Sequence, residues 1–203
     1  MAVTFNSKSA FAGNIACFQV QPILNEVMGY SLENAPAVGE VVPMGTPIVA
    51  DPKGKSAKIC KYAVIEKKVD AKTFVVKRLG FLAAGDSIFV SGGSVLSAIA
   101  SIDEATRTIV LKANNAEIEA GKVVLEGVSA TVDGAAKLSA VSVPNRIVSH
   151  SAIIKANDKT VSAAFKAVAI QNVLNYPDEW LNTETFPGSI LLKGNPHVFF
   201  VIQ

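Results

Sequence analysis

The chain has 203 residues and a formal net charge of +2; half of it is apolar and only 18% is charged, against roughly a quarter charged in typical globular proteins. That balance excludes a disordered chain and lacks the basic stripe of a nucleic-acid binder, and no window approaches the ~18 apolar residues of a membrane-spanning helix. Two small domains or one large one fit the length, and the apolar surplus belongs either in large buried sheets or against other chains.

Residues 1–35 read as an irregular N-terminal arm or as the first strands. Phe5, Phe11, Phe18 and Tyr30 are scattered without periodicity, and "PILNEVMGY" admits a helical turn or two. A charged stretch followed by an unbroken apolar run is missing here, so no signal peptide is expected. From Pro36 the character changes. "VGEVVPMGTPIVADPKGK" is punctuated by Gly39, Pro43, Gly45, Pro47, Pro52 and Gly54, which fits short extended pieces between turns better than a helix. "SAKICKYAVIEKKVDAKTFVVKRLG" then reads as two strands, with Ala57, Ile59, Ala63 and Ile65 alternating on one face.

A small phrase occurs twice. "LAAGDSIFVSG" (82–92) and "IEAGKVVLEG" (118–127) each run Ala-Gly, polar residue, apolar run, Gly, with Gly85 and Gly121 36 residues apart. Glycine supplies the positive φ that tight corners between strands require. The phrases therefore predict two corners of one small barrel or sandwich, each feeding a strand, with "SVLSAIASIDEATRTIVLKA" between them as a hairpin turning at "DEAT". Beyond Gly127, "VDGA" and "ANDKT" carry turn chemistry between further strand-like pieces. "SAAFKAVAIQNVL" fits a strand or a helix, and its neighbours favour strand. "PDEWL" reads as one helical turn led by Pro177, and "GSILLKGNPHVFFVIQ" as two closing strands. The expected fold is mainly β: compact β-barrel or sandwich modules with a short helix near the C-terminus and an irregular N-terminal arm. Residues 36–127 would form the module; residues 128–203 would be a second β-rich segment, separate or completing the same domain.

Catalytic machinery is thin. His150 and His197 have no carboxylate or cysteine at ligand or triad spacing, and no nucleotide, zinc-protease, hydrolase or CxxC motif occurs. Cys17 and Cys60 lie 43 residues apart, outside any metal or redox spacing; reduced thiols are expected. Asp103-Glu104 falls in the predicted hairpin turn and Asp178-Glu179 at a helix start, where structure alone accounts for acids. No catalytic residue, metal ligand or cofactor site is expected. Lys53, Lys55, Lys58, Lys61, Lys67 and Lys68 form the one charge cluster. It reads as a solvated strand face, or as edge protection, or as a docking face for an acidic protein surface. Trp180 with Tyr176 reads either as core or as a stacking platform for sugar, the latter in a carbohydrate-binding or adhesin-like β-domain on a cell or tail surface.

The order of phrases from Pro36 onward, "VGEVVPMGTPIVADPKGKSAKICKYAVI", "GDSIFV", "VLSAIASIDEATRTIVLKA", "IEAGKVVLEG", "VPNRIV" and the terminal "GNPHVFFVIQ", resembles the phage head fibre and capsid decoration proteins. The resemblance covers residues 36–203. It implies a non-enzymatic virion protein on the outer face of the capsid, assembled in the bacterial host cytoplasm. Its partners would be itself, as a homotrimer, and the major capsid protein, with no nucleic acid or membrane. Carried to residues, it marks Gly39, Pro43, Gly45, Thr46 and Pro47 as an opening turn and Pro144-Asn145 as a second shape-determining position. The chain departs from long-fibre members in having no run of a/d heptads for a helical stem, so a compact knob is expected.

Overall fold

The computed structural model describes residues 24–26, 29–132, 135–182 and 190–202. It is mainly β and divides into two compact units. Unit 1 comprises Met1–Cys60, Val143–Tyr176 and Trp180–Gln203; unit 2 comprises Lys61–Ser142 with Pro177–Glu179. Residues 36–60, grouped with the module on sequence, lie in unit 1.

In unit 1 the N-terminal part supplies β1 (Leu24–Asn25), β2 (Tyr30–Leu32), β3 (Val41–Val42), β4 (Pro47–Asp51) and β5 (Ser56–Ile59). Unit 2 follows with β6 (Tyr62–Lys68), β7 (Thr73–Val76), β8 (Ser87–Val90), β9 (Ser97–Asp103), β10 (Thr108–Leu111), β11 (Val123–Val132) and β12 (Ala135–Ala140). The chain then returns to unit 1 as β13 (Arg146–Val148), β14 (Ala152–Ile153), β15 (Thr160–Val161), β16 (Ala163–Ile170), α1 (Gln171–Leu174), β17 (Leu181–Asn182), β18 (Ile190–Leu192) and β19 (Asn195–Val201). Two expectations change here. The stretch read as two strands from Ser56 makes three, because the chain passes between units at Cys60-Lys61. Leu24–Asn25, inside the segment that admitted a helical turn, is a strand paired with β16.

Unit 2 shows what the doubled phrase is for. Strands β11-β6-β7-β10-β9-β8 pair in that order and β8 pairs back to β11, so six antiparallel strands close a barrel. The barrel is one motif used twice: a hairpin, an Ala-Gly corner and a strand. Both hairpins have the same register. Val76 opposes Ile65 and Val75 opposes Lys67, with Glu66 bulged; Leu111 opposes Ile99 and Val110 opposes Ser101, with Ala100 bulged. Each corner docks on the other copy. Gly85 N–H donates to Ile99 O (3.0 Å) and Gly121 N–H to Ile65 O (2.8 Å), while Ile99 N–H returns to Asp86 O (2.9 Å) and Ile65 N–H to Lys122 O (2.8 Å). The two phrases end side by side, with Val90 opposite Val124 and Ile88 opposite Glu126. A local two-fold axis therefore passes through the Phe74–Ile109 pair and the Phe89–Leu125 pair. Closure removes the sheet edges that an isolated pair of hairpins would expose.

The alternating residues fill the barrel as the period-2 pattern dictates. Ile65, Phe74, Val76, Ile99, Ile109, Ile118 and Val124 are fully buried together, with Leu82, Ile88, Val90 and Leu111 beside them. Gly85 (φ 95°) and Gly121 (φ 85°) occupy the third position of their turns, closed by Asp86 N–H to Ala83 O and Lys122 N–H to Glu119 O. A positive φ at that position is the type II demand for glycine. The expected 97–111 hairpin is present, its loop tied by the Asp103 carboxylate, which accepts the Ala105 N–H (3.0 Å) and the Thr106 hydroxyl (2.7 Å).

Unit 1 carries a ten-stranded mixed sheet, ordered β15-β2-β5-β4-β13-β16-β19-β18-β17 with β1 also on β16. The ambiguous stretch from Ser162 is strand as far as Ile170, and then a single helical turn, α1, ended by Asn175 in the left-handed conformation (φ 51°). Asparagine tolerates that conformation at a helix end. "PDEWL" forms a 3-10 turn over Asp178–Trp180.

Candidate interaction surfaces

The opening-turn residues are internal fasteners. Pro43 O accepts both the backbone N–H (3.2 Å) and the hydroxyl (2.7 Å) of buried Thr46. Gly45 (φ 84°) donates to Val148 O (2.8 Å), and its carbonyl accepts the Tyr176 hydroxyl (2.7 Å). Gly39 (φ 92°) donates to Ile154 O (2.8 Å). Pro47 begins β4, where its missing N–H leaves the ladder intact, and its carbonyl accepts Cys60 N–H (2.9 Å).

Pro144-Asn145 fastens the same sheet. The Asn145 amide acts as an extra strand residue, accepting Ala50 N–H (2.8 Å) and donating to Ala50 O (2.9 Å). Asn34 does the same to Ile59, at 2.8 and 3.0 Å. Sequence reasoning found Asn145 only through the "PN" phrase and missed Asn34. A carboxamide can mimic a peptide group because it carries one acceptor and donors in the same planar arrangement. Pro144 O lies so close to Gly194 that a side chain at 194 would meet it.

The six lysines do not act alike. Lys53 and Lys55 are exposed at the tip of the β4–β5 hairpin, and Lys58 is exposed on β5 in an ion pair with Glu33 (3.0 Å). The Ser56 hydroxyl and then Lys58 hold the Glu33 carboxyl below the usual carboxylate range. Lys67 and Lys68 are exposed at the end of β6. Lys61 does not belong to a docking face. Its ammonium lies 2.8 Å from Asp86 and 3.3 Å from Glu126, with only 18% of the side chain exposed. Burial works against its charge, but the Asp86 hydrogen bond and Glu126 outweigh it and hold the ammonium above the usual lysine range. Lys53, Lys55 and Lys58 belong to unit 1, and Lys61, Lys67 and Lys68 to unit 2.

The acids serve loops. Glu179 accepts the Ser91 hydroxyl (2.6 Å) and Gly92 N–H (2.8 Å); Glu117 accepts Ser94 N–H (2.8 Å) and Val95 N–H (3.2 Å). His150 is exposed, its Nδ1 3.0 Å from the Ser149 hydroxyl. Among the described residues no three metal-ligating side chains converge, and no helix is long and apolar enough to cross a membrane. Cys60 is buried, whereas Cys17 lies outside the described residues. The sugar platform has no surface to work from: Trp180 is 1% exposed and Tyr176 2%, packed edge-to-face at 5.7 Å with Phe200 against the tyrosine.

Two surfaces remain. In unit 2, β11 runs past the barrel and pairs with β12 from Gly127↔Ala140 to Val132↔Ala135, forming a two-stranded ribbon. The outer edge of β12 has no strand partner among the described residues, and Val128 (46%) and Val141 (51%) are exposed beside it. In unit 1, the register between β1 and β16 slips at Phe165, which stands out of the sheet as a bulge. Asn195 donates to the Phe165 carbonyl (2.9 Å). The Phe165 ring lies 5.1 Å from His197 and 5.3 Å below the Arg146 guanidinium, itself fixed by Glu26 at 2.6 Å.

The fold thus defines a mainly β protein built on a closed six-stranded barrel and a mixed sheet. No family model, curated protein or solved structure matches the chain.

Proposed function

We propose that the chain is a non-enzymatic structural protein that decorates the outside of a phage capsid as a homotrimer, in the manner of a head fibre or cement knob. The resemblance in phrase order supplies the class. The observation that carries the reading is the β11–β12 ribbon. Its outer edge presents a row of backbone donors and acceptors, and such a row pairs readily with another chain. A soluble protein ordinarily blunts such an edge with charge, yet Asp133 and Lys137 are the only charged residues from Gly127 to Ser142. An isolated two-stranded ribbon is marginal in water, so pairing of the β12 edge in an assembly gives the ribbon a reason to exist. The exposed Lys53 and Lys55 hairpin tip then serves as the contact to an acidic patch of the major capsid protein.

The test is sedimentation of the purified protein with undecorated heads. Co-sedimentation that saturates at a fixed ratio to the major capsid protein, and that weakens with salt and on Lys53→Glu/Lys55→Glu, is expected. Absence of binding to heads at any salt concentration would overturn the reading.

A further inference from the structure

The β11–β12 ribbon has a second open edge, and the two edges together constrain how copies of the chain can join. Val141 N–H donates to Glu126 O (3.0 Å). In an antiparallel pair, successive residues turn their N–H and C=O to alternate sides. The backbone groups of Glu126, Val128, Ala130 and Val132 therefore face those of Val141, Ser139, Lys137 and Ala135 inside the ribbon. Those of Ala136, Leu138 and Ala140 point away from β11 and make the β12 edge. Those of Ser129 and Thr131 point away from β12, to the side of β11 on which Ser91 N–H meets Val123 O (2.8 Å). Within the barrel β8 takes that side, but only from Val124 to Glu126. Past the barrel this edge of β11 has no strand partner among the described residues.

Antiparallel pairing of β12 with β12 of a neighbour would relate the chains by a two-fold axis, close as a dimer and leave both β11 edges bare. Pairing of β12 with β11 of the next copy is heterologous, and the same step repeated closes a ring without edges. The two edges suit each other. They run the same length, because β11 and β12 are paired from Gly127↔Ala140 to Val132↔Ala135. With β11 and β12 antiparallel inside each ribbon, every junction of the ring is antiparallel too. No residue from Gly127 to Val132 is charged, and Lys137 is the one charge on β12, so no like charges oppose each other across a junction. Three copies bring six strands to the ring. Unit 2 already closes six antiparallel strands around a filled interior, whereas two copies would bring only four, a much tighter circle.

We propose that three copies join β12 edge to β11 edge, forming a six-stranded antiparallel barrel between chains on the three-fold axis of the assembly. This rests on the self-assembly reading above and names the two surfaces that meet. It also accounts for the ribbon: each two-stranded piece, marginal alone, gains a partner on both sides.

Amide hydrogen exchange on the full chain, resolved to single residues by electron-transfer fragmentation and read beside the mass from light scattering, tests this. The amides of Ser129, Thr131, Ala136, Leu138 and Ala140 are all expected to be protected. Ala140→Pro should strip protection from Ser129 and Thr131, although it lies on the other strand. Ser129→Pro and Ala140→Pro each spare the ribbon's own ladder, because the N–H they remove points outward, and each should yield monomer. A species of three chains whose Ser129, Thr131, Leu138 and Ala140 amides exchange freely would overturn the inference and leave self-assembly standing. Protection of the β12 amides alone, with Ser129→Pro still assembled, would mark two-fold pairing and overturn it as well. A monomeric parent would remove the self-assembly reading, and this inference with it.

Discussion

Replacing Asn145 with alanine removes two hydrogen bonds at once, and both bonded partners are backbone groups of Ala50, a residue 4% exposed. Neither group regains water. An orphaned buried donor or acceptor costs about 1–3 kcal/mol, so Asn145→Ala, which orphans one of each, is expected to destabilise unit 1 by roughly 2–6 kcal/mol. In a chain of this size that lowers the melting temperature by about 2–4 °C for each kcal/mol. Urea unfolding followed by circular dichroism measures the loss. Asn145→Asp sharpens the test. Its carboxylate still accepts the Ala50 N–H but sets a second oxygen against Ala50 O, so the folded state favours the protonated acid and raises its pKa above the ordinary value of about 3.9. The stability that protonation restores is fully present below that ordinary value and is lost as pH rises through the raised folded one. The gap between Asn145→Asp and the parent should therefore narrow on acidification. A loss below about 0.5 kcal/mol for Asn145→Ala, the range of ordinary surface substitutions, would refute the reasoning, as would a pH-independent gap for Asn145→Asp.

Three further outcomes are expected. At Gly80 (φ 57°) an added Cβ would coincide with the Tyr62 carbonyl oxygen, whereas at Gly85 (φ 95°) it would meet nothing; Gly80→Ala should abolish soluble expression, while Gly85→Ala should fold with a strain cost of about 1–2 kcal/mol, both read by expression and thermal melts. Lys61→Met leaves Asp86 and Glu126 close together without their cation, and should cost about 1–3 kcal/mol at neutral pH; in the parent, the Lys61 contribution is present below about pH 10.4 and fades as pH rises through its raised folded value, which alkaline melts can follow. Asp70, Asp103 and Asp158 are each held below the usual range by bonds to their own turns, so their stabilisation is present above about pH 3.9 and is lost as pH falls through their lowered values; Asp103→Asn should flatten part of the acid limb of the stability–pH curve.

The sequence showed much of the barrel, and for physical reasons. Alternation along β6 to β10 and glycine at the two corners are local signals, because burial imposes period 2 and a positive φ excludes most side chains. The pairing of the two corner phrases with each other was hidden. The register match of Ile65 with Ile99 and of Glu66 with Ala100 is a property of the ladders, and the two bulged residues, a glutamate and an alanine, share no chemistry that would have marked it. The division at Lys61 was equally silent, since a strand that ends and one that begins across Cys60-Lys61 continue the same apolar alternation. Lysine spacing suggested one basic face, yet the Lys61 partners come from Asp86 and Glu126, which only the closed barrel brings to it. Phe165 was ambiguous for a good reason: a bulge breaks the period that would have told strand from helix.

The proposed function rests on self-assembly, and the absolute mass of the purified protein by light scattering on a sizing column, over a range of concentrations, tests that most directly. The account predicts a stable species at three times the 21.2 kDa chain mass, reduced to monomer when Ala140→Pro removes a backbone donor from the outer edge of β12. A monomer at every concentration would contradict it and leave the β12 edge without the partner proposed for it.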